Sequence, residues 1–265
     1  MPGKFQDMAA VKGFGDPMGS AIMDYHRTGK AGVLRVFSSQ FDEDEIPVAD
    51  LFREFEDMPQ IEQVALELAA GSGLAAGSDL PARSVLDVGA GSGCHSLALK
   101  KMGVSPVAID ISALSVDVMK ERGLDARLVD FYDSAFDERF DTILMLMNGT
   151  GIIGTIDNMP RFFERLRQLL NPGGCVLIDS SDLRFLFEEE DGSLMIDLAE
   201  DYYGQIDYQM QYKDIKGEPF DWLYVDFDTL AFYAEENGFC AELVAEGEHY
   251  DYLTKLTLPM SRGLA

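Results

Sequence analysis

The sequence predicts an α/β protein built around a mostly parallel central sheet, and three observations indicate this. Residues 85–88 form a short apolar run typical of a buried parallel strand, and a glycine turn and a helix-like run follow it. Strand-like and helix-like runs then alternate along the chain. Three of the later strand-like runs end in an aspartate, namely Asp110, Asp130 and Asp179, at the sheet edge where open α/β sheets bind ligands.

The bulk composition limits the classes of partner. A chain of 265 residues suits one large α/β domain with appendages. Its 47 acidic and 21 basic residues give a formal net charge of −26, which repels polyanions, so we expect no nucleic acid and no membrane as partner. The charge is typical of a solvated surface that gives solubility, and adaptation to high salt is the alternative. Composition does not indicate an oligomeric state.

The cysteines and the apolar runs indicate the compartment. Cys94, Cys175 and Cys240 lack the spacing of metal ligands and are odd in number, so we expect small buried residues and no metal site. The sequence shows no signal-peptide pattern and no uncharged apolar run of about 18 residues. We therefore expect a soluble, cytoplasmic protein.

Two regions are expected along the chain. Residues 1–78 form an N-terminal arm and a cap, and residues 79–265 form the main domain. Apolar residues at helical spacing just before the first strand of the main domain predict an amphipathic helix. The elements predicted for the cap are a helix (21–26), a strand (33–37), an acidic loop (41–45), a helical segment (48–55), the amphipathic helix (61–70) and a linker (71–78).

A glycine turn, Gly89-Ala-Gly-Ser-Gly93, follows the first strand of the main domain. Glycine lets the backbone turn sharply and brings main-chain N–H groups close to a ligand at the positive end of the next helix, so we expect a cofactor cradle here. A dinucleotide-binding turn would have glycine or alanine at the position of Cys94. That residue disfavours a nicotinamide cofactor.

The runs after the glycine turn continue the alternating pattern. Asp110 stands 21 residues after Gly89, near the distance at which an acidic side chain binds a ribose in such folds. The later predicted elements are strands at 126–130, 140–147 and 175–179, helices at 159–170 and 229–236, and a closing antiparallel pair at 242–245 and 252–258.

The segment Leu86-Asp-Val-Gly-Ala-Gly-Ser-Gly93 resembles motif I of the class I S-adenosylmethionine-dependent methyltransferases, in which an acidic residue precedes Gly-x-Gly-x-Gly. By architecture the resemblance spans residues 84–258. It implies a Rossmann-like, seven-stranded, mostly parallel sheet of order 3-2-1-4-5-7-6, with the last strand antiparallel and helices on both faces. It also implies S-adenosyl-L-methionine as cofactor and S-adenosyl-L-homocysteine as product.

The same resemblance implies where the cofactor lies. Asp110 binds the ribose, Asp130 accepts from the exocyclic amine of adenine, Phe131 packs on the adenine ring, and the end of the fourth strand faces the methionine part. The expected cofactor-binding residues are Asp87, Gly89, Ala90, Gly91, Gly93, Asp110, Ile111, Asp130, Phe131, Met147 and Asn148.

An insertion at residues 183–226 separates the fifth strand from the last helix. Alternation of apolar and polar residues over 206–212 and 220–224, with a turn at 216–219, predicts an antiparallel hairpin. Because the hairpin follows strand five, we expect it and the cap to roof a small or medium-sized acceptor. The expected acceptor contacts are Tyr25, Tyr208, Tyr212, Trp222 and Tyr250, with ordinary hairpin packing as the alternative.

Methyl transfer needs an aligned nucleophile and, for hydroxyl, thiol or amine acceptors, a destination for a proton. The candidates are His26, Asp179 and His249, although Asp179 is equally suited to cap a following segment and the histidines to a plain surface position. We expect a methyltransferase. A non-catalytic protein that senses the cofactor or binds a partner is the alternative, and an NAD-type oxidoreductase, which Cys94 disfavours, comes third. The acceptor itself does not follow from the sequence.

Overall fold

The structure is a computed structural model that describes residues 15–71, 83–187 and 201–259. Its main sheet has seven strands in the spatial order β11-β12-β7-β6-β3-β4-β5. This order confirms the sheet that the resemblance implied. The strands are β3 (Val85–Val88), β4 (Val107–Asp110), β5 (Asp125–Leu128), β6 (Phe140–Met145), β7 (Leu170–Ser181), β11 (Cys240–Glu246) and β12 (Asp251–Thr257).

The strand directions bring one set of strand ends together. β3 pairs in parallel with β4 and β6, and β6 with β7, whereas β12 runs antiparallel to both of its neighbours. The carboxyl ends of β3 to β7 therefore meet at one edge, which we call the carboxyl edge. Helices α5 (Met159–Leu169) and α6 (Phe227–Glu236) cover one face, and α2 (Gln60–Ala69), α3 (Cys94–Lys101) and α4 (Ala113–Glu121) cover the other.

A second sheet forms beside the main sheet. β1 (Leu34–Phe37) and β2 (Asp44–Ile46) of the cap pair with each other, and β1 also pairs antiparallel with β8 (Gln205–Tyr212) of the insertion. β9 (Ile215–Lys216) and β10 (Phe220–Leu223) pair with the other side of β8. Cap and insertion are thus joined by main-chain hydrogen bonds into one layer.

Helix α1 (Pro17–Thr28) attaches this layer to the main domain. Ile22 and Val118 of α4 lie in one buried cluster. The Asp16 carboxylate caps α1 by accepting from Gly19 N at 2.7 Å, and it also accepts from the hydroxyl of Ser112, just beyond β4. The cap is therefore fixed beside the carboxyl edge.

Four local expectations are corrected by the structure. Residues 44–46 form an edge strand rather than a loop, because their acidic side chains point to solvent while the backbone pairs with β1. Residues 48–55 contain short 3-10 helices, since Arg53 is extended and interrupts them. The tight turn of the hairpin is at Lys213, which has φ 53°, and Cys240 is exposed rather than buried.

Parts of the expected arm, linker and insertion, at residues 1–14, 72–78 and 188–200, lie outside the described residues. No described helix is both long and apolar enough to cross a membrane. Within the described ranges, no His, Cys, Asp or Glu side chains are grouped as ligands for a metal ion.

Candidate active site

The glycine turn has the backbone conformation of a ligand cradle. Gly89, Gly91 and Gly93 have φ values of 68°, 56° and 81°, in the left-handed region that glycine adopts without strain. A Cβ at Gly89 would meet no atom within 4 Å, so the backbone there borders open space, whereas a Cβ at Gly93 would collide with Leu124. Gly89 thus leaves room for a ligand, and Gly93 allows the turn to pack on α4 and its following loop.

Asp110, at the end of β4, joins the glycine turn to the next loop. Its carboxylate accepts from Gly91 N and from Ser112 N, each at 2.8 Å. Burial raises the pKa of Asp110 to about 6, although these two N–H donors act in the opposite direction. The adjacent Ile111 side chain is 76% exposed. A carboxylate and an exposed apolar side chain therefore stand side by side at the carboxyl edge.

The buried Arg165 holds the loop after β5 by hydrogen bonds to its carbonyl oxygens. Arg165 donates from Nε to the carbonyl oxygen of Phe131 at 2.6 Å, and from Nη2 to those of Asp133 and Phe136 at 2.8 and 2.6 Å. The Asp130 carboxylate accepts from Tyr132 N at 2.8 Å. Arg165 thereby fixes the position of the loop that presents Asp130.

Phe131 does not have the expected orientation. Its side chain is 2% exposed, and its ring packs against Tyr132 and Phe162 with centroid separations of 5.0 and 5.9 Å. The ring therefore lies in the core and offers no free face to adenine. This orientation counts against the role that the resemblance implied for Phe131, which stays a prediction.

The turn after β6 is strained and is held by Asp179. Met147 and Asn148 have φ values of 65° and 59°, which non-glycine residues rarely adopt. The Asp179 carboxylate accepts from Met147 N at 3.0 Å and from Gly149 N at 2.9 Å. Burial raises the pKa of Asp179 to about 7. Because both carboxylate oxygens accept from the backbone and the residue is 4% exposed, the geometry suits a positioning residue better than a base.

A buried ionic cluster under the glycine turn escaped the sequence analysis. Glu62 of α2 accepts from Arg53 Nη2 at 2.9 Å and pairs with His95 Nε2 at 2.8 Å. Asp87 is also buried, which raises its pKa, and it accepts from Ser96 Oγ at 2.6 Å. The one available signal was Glu62 itself, an acidic residue adjacent to the apolar face of the amphipathic helix.

These features fit the expected cofactor. The buried Nε of Arg53 donates to no protein acceptor in the described part of the chain, so an anionic group of a ligand could satisfy it. The open backbone at Gly89 and the carboxylate of Asp110 suit a close approach and a pair of ribose hydroxyls. An amino acid joined to a nucleoside carries both kinds of group.

A cavity of about 250 Å³ lies beside the carboxyl edge. It is lined by Phe41, Ser181, Leu183, Phe185, Leu186, Tyr208, Tyr224 and His249. Ser181 Oγ donates to Asn148 Oδ1 at 2.8 Å, which connects the cavity wall to the strained turn. Tyr250 stacks on Phe185 at the rim, with ring centroids 4.9 Å apart. We call this space the β7–β8 cavity.

The structure places the residues expected at the acceptor site in different parts of the molecule. Tyr208, His249 and Tyr250 come together at the β7–β8 cavity. Tyr25 lines a different cavity of about 470 Å³ in the cap, and His26 pairs with Glu121 of α4 at 3.0 Å.

Two further aromatic residues serve packing. Tyr212 is 1% exposed and donates to Asp24 at 2.8 Å. Trp222 packs against Gly151, where a Cβ would collide with its ring. Neither of them lines the β7–β8 cavity.

A seven-stranded Rossmann-like sheet with a glycine cradle and carboxylates at its carboxyl edge is typical of α/β proteins that bind a nucleoside-containing cofactor at that edge. Residues 85–174 match a family described as a methyltransferase domain. The chain is 59% identical to a SAM-dependent methyltransferase from Bacteroides fragilis solved in complex with S-adenosyl-L-homocysteine, with a TM-score of 0.82 over 92% of this chain and 94% of that one. The chain belongs to the class I S-adenosylmethionine-dependent methyltransferases.

One further relative and one further solved structure are similar to this chain. The cypemycin N-terminal methyltransferase of a Streptomyces species is 32% identical over 127 residues, which is 45% of this chain and 52% of the relative, so the match spans about half of that protein. The CcbJ methyltransferase of Streptomyces caelestis is 15% identical, with a TM-score of 0.58 over 91% of this chain and 98% of that one, and it shows the shared fold alone. The findings support an enzyme that transfers a methyl group from S-adenosylmethionine. They do not support a non-catalytic cofactor sensor or an NAD-type oxidoreductase.

Proposed function

We propose that the methyl acceptor is a small or medium-sized molecule that binds in the β7–β8 cavity. The observation that carries this is the hydrogen bond from Ser181 Oγ, in the cavity wall, to Asn148 in the turn at the end of β6. The volume of about 250 Å³ suits a small ligand or the end of a larger one.

The carboxyl edge would hold the cofactor, which supplies the methyl group when bound. We assign the ribose hydroxyls to Asp110, the adenine amino group to Asp130 and the methionine part to the turn of Met147 and Asn148. The glycine turn and Asp87 border the same ligand, and Ile111 supplies an exposed apolar contact. Asp179 keeps the turn in shape by accepting from its N–H groups.

The cap and the insertion would act together as the wall of the acceptor site. We propose residues 1–78 as a cap and residues 79–265 as the main domain, with the insertion at 183–226 reaching back to the cap. Support comes from the pairing of β1 with β8, which fixes Tyr208 relative to Phe41. Such a wall keeps water from the reacting atoms and aligns the nucleophile.

A cytoplasmic location is proposed as well. The three cysteines are free in the structure, which is typical of a reducing compartment. Fractionation of cells that produce the tagged protein would test this location, and recovery with secreted or membrane fractions would contradict it.

A peptide amino terminus is the second candidate acceptor. The name of the cypemycin relative denotes methylation of an N terminus, and that relative is 32% identical over the matched segment. The β7–β8 cavity would then receive only the first residue of the peptide.

The test is an acceptor screen that measures release of S-adenosylhomocysteine with small amines, phenols, thiols and short peptides. For any acceptor found, Tyr208→Trp fills the cavity and should lower kcat/KM by about 10-fold or more, with unchanged binding of S-adenosylhomocysteine. Phe232→Trp, at a 60% exposed position on α6, is the matched control. Transfer to folded proteins alone, unaffected by Tyr208→Trp, would overturn the small-acceptor proposal.

A further inference from the structure

The walls of the β7–β8 cavity combine aromatic rings with little positive charge. Phe41, Phe185, Tyr208 and Tyr224 contribute rings, and the Tyr208 and Tyr224 hydroxyls lie 3.2 Å apart. None of the eight described lining residues is a lysine or an arginine. Aromatic faces attract cations, so these walls already favour a cationic ligand over an anionic one.

Carboxylates are adjacent in sequence to four of the positions that line the cavity. Asp42, Glu43, Asp44 and Glu45 follow Phe41, Asp182 follows Ser181, Asp207 precedes Tyr208, and Glu248 precedes His249. The nearby cations Arg35 and Arg184 are paired, with Glu43 and Asp182 respectively. With these two pairs neutral, Asp42, Asp44, Glu45, Asp207 and Glu248 leave an excess of negative charge on the segments around the cavity, which adds to the attraction of the rings.

The strand register of the second sheet places Asp44 on the same face as Tyr208. In the second sheet, Asp44 is paired with Val36, and Val36 with Met210, so these residues share a face with Tyr208 two positions along β8. Burial raises the pKa of both Tyr208 and Tyr224, and the Asp44 carboxylate contributes in the same direction. The two phenols consequently stay protonated at neutral pH and serve as hydrogen-bonding groups, not as bases.

We propose that the acceptor bound in the β7–β8 cavity is an amine that arrives as an ammonium ion attached to an aromatic or apolar body, and that Asp44 is a specificity-determining residue for it. The inference rests on the proposed function and names the substrate class of that site. The same field disfavours anionic acceptors, such as carboxylates and phosphate esters.

The reaction of such an acceptor balances without a further reagent. The ammonium ion first loses a proton, which we assign to the His249 imidazole in the cavity wall. The nitrogen lone pair then forms a bond to the methyl carbon while the bond from that carbon to sulfur breaks. The positive charge passes from sulfur to the methylated nitrogen, and the sulfur leaves as a neutral thioether.

The test measures binding of three matched probes to the protein saturated with S-adenosylhomocysteine. The probes are 2-phenylethylamine, 2-phenylethanol and 3-phenylpropionate, which share a ring and differ in charge. By calorimetry at low ionic strength, the amine should bind about 10-fold tighter than the alcohol, and the propionate weaker than both. Asp44→Asn should reduce the preference for the amine about 3-fold, whereas Asp137→Asn, an exposed acid before β6 at the opposite edge, should not change it.

The proposal is overturned if the propionate binds as tightly as the amine or more tightly, or if no probe binds. It is also overturned if Asp44→Asn and Asp137→Asn change the preference for the amine equally. These failures are separate from failure of the proposed function. If Tyr208→Trp abolishes transfer to an acceptor that is neutral or anionic, the small-acceptor proposal stands and the amine proposal falls. If S-adenosylhomocysteine itself does not bind, the cofactor assignment fails first.

Discussion

The carboxyl edge of the main sheet and the second sheet are built in contrasting ways. At the carboxyl edge, Asp110 and Asp179 are held by backbone N–H groups of neighbouring loops, and burial raises the pKa of both. The second sheet exposes Asp44 and Glu45 at its free edge, and it borders a cavity of about 250 Å³. The rigid, preorganised edge suits a fixed cofactor, and the more open layer suits an acceptor that differs between enzymes of one fold.

The largest expected effect concerns Asp110. Asp110→Ala removes the carboxylate assigned to the ribose and the acceptor of Gly91 N, so S-adenosylmethionine binding should weaken by about 2 to 3 kcal/mol. Calorimetric titration measures this, with circular dichroism to confirm the fold. Asp137→Asn is the control for loss of one charge. Unchanged affinity in a folded Asp110→Ala protein would show that this carboxylate does not hold the ribose.

The second effect concerns pH and Asp179. Its pKa is raised to about 7 by burial, above the ordinary value of 3.8, so the folded protein binds more protons than the unfolded chain between these values. The free energy of unfolding should therefore fall as pH rises from about 4 to about 7, by about 3 kcal/mol from this group. Asp179→Asn should flatten that slope. Denaturant titrations of both proteins at pH 4.5 and 7.5 measure it, and identical slopes would contradict the role of burial at this site.

A third, smaller effect tests the connection between the two regions. Ser181→Ala removes the hydrogen bond from the cavity wall to Asn148, worth about 1 kcal/mol. We expect kcat to fall by about 5-fold while the dissociation constant of S-adenosylhomocysteine stays the same. Ser39→Ala, which removes a hydroxyl that donates to Asp207 in the exposed part of the second sheet, is a matched control. A weaker affinity for S-adenosylhomocysteine in Ser181→Ala would place Ser181 in the cofactor site instead.

The smallest effect follows from the charge of −26, which acts on both regions alike. Self-repulsion is screened as the Debye length falls from about 10 Å at 0.1 M salt to about 3 Å at 1 M. The Tm should rise by a few degrees over this range of NaCl concentration. A flat or falling Tm would mean that the acidic surface serves solubility alone.

The main domain was largely predictable because its signals are local. The apolar run of β3, the glycines from Gly89 to Gly93 and the carboxylate of Asp110 lie within 26 residues of one another, and the resemblance to motif I then supplied the strand order. Period-two alternation also identified β8 and β10 as strands and as partners. What such patterns report is the periodicity of neighbouring side chains, which each element carries by itself.

Other features depended on the tertiary structure, for a physical reason. Alternation shows that β8 is a strand with one buried side. It does not show that β8 pairs with β1, because this pairing joins residues far apart in the chain, such as Leu34 and Tyr212, and depends on how the cap docks. The Glu62–His95 pair and the inward ring of Phe131 likewise depend on which surfaces meet. The sequence by itself determined the cofactor fold and the residues at its strand ends. The tertiary structure alone decided which aromatic side chains line the β7–β8 cavity, because packing between distant segments leaves no periodic signal in either segment.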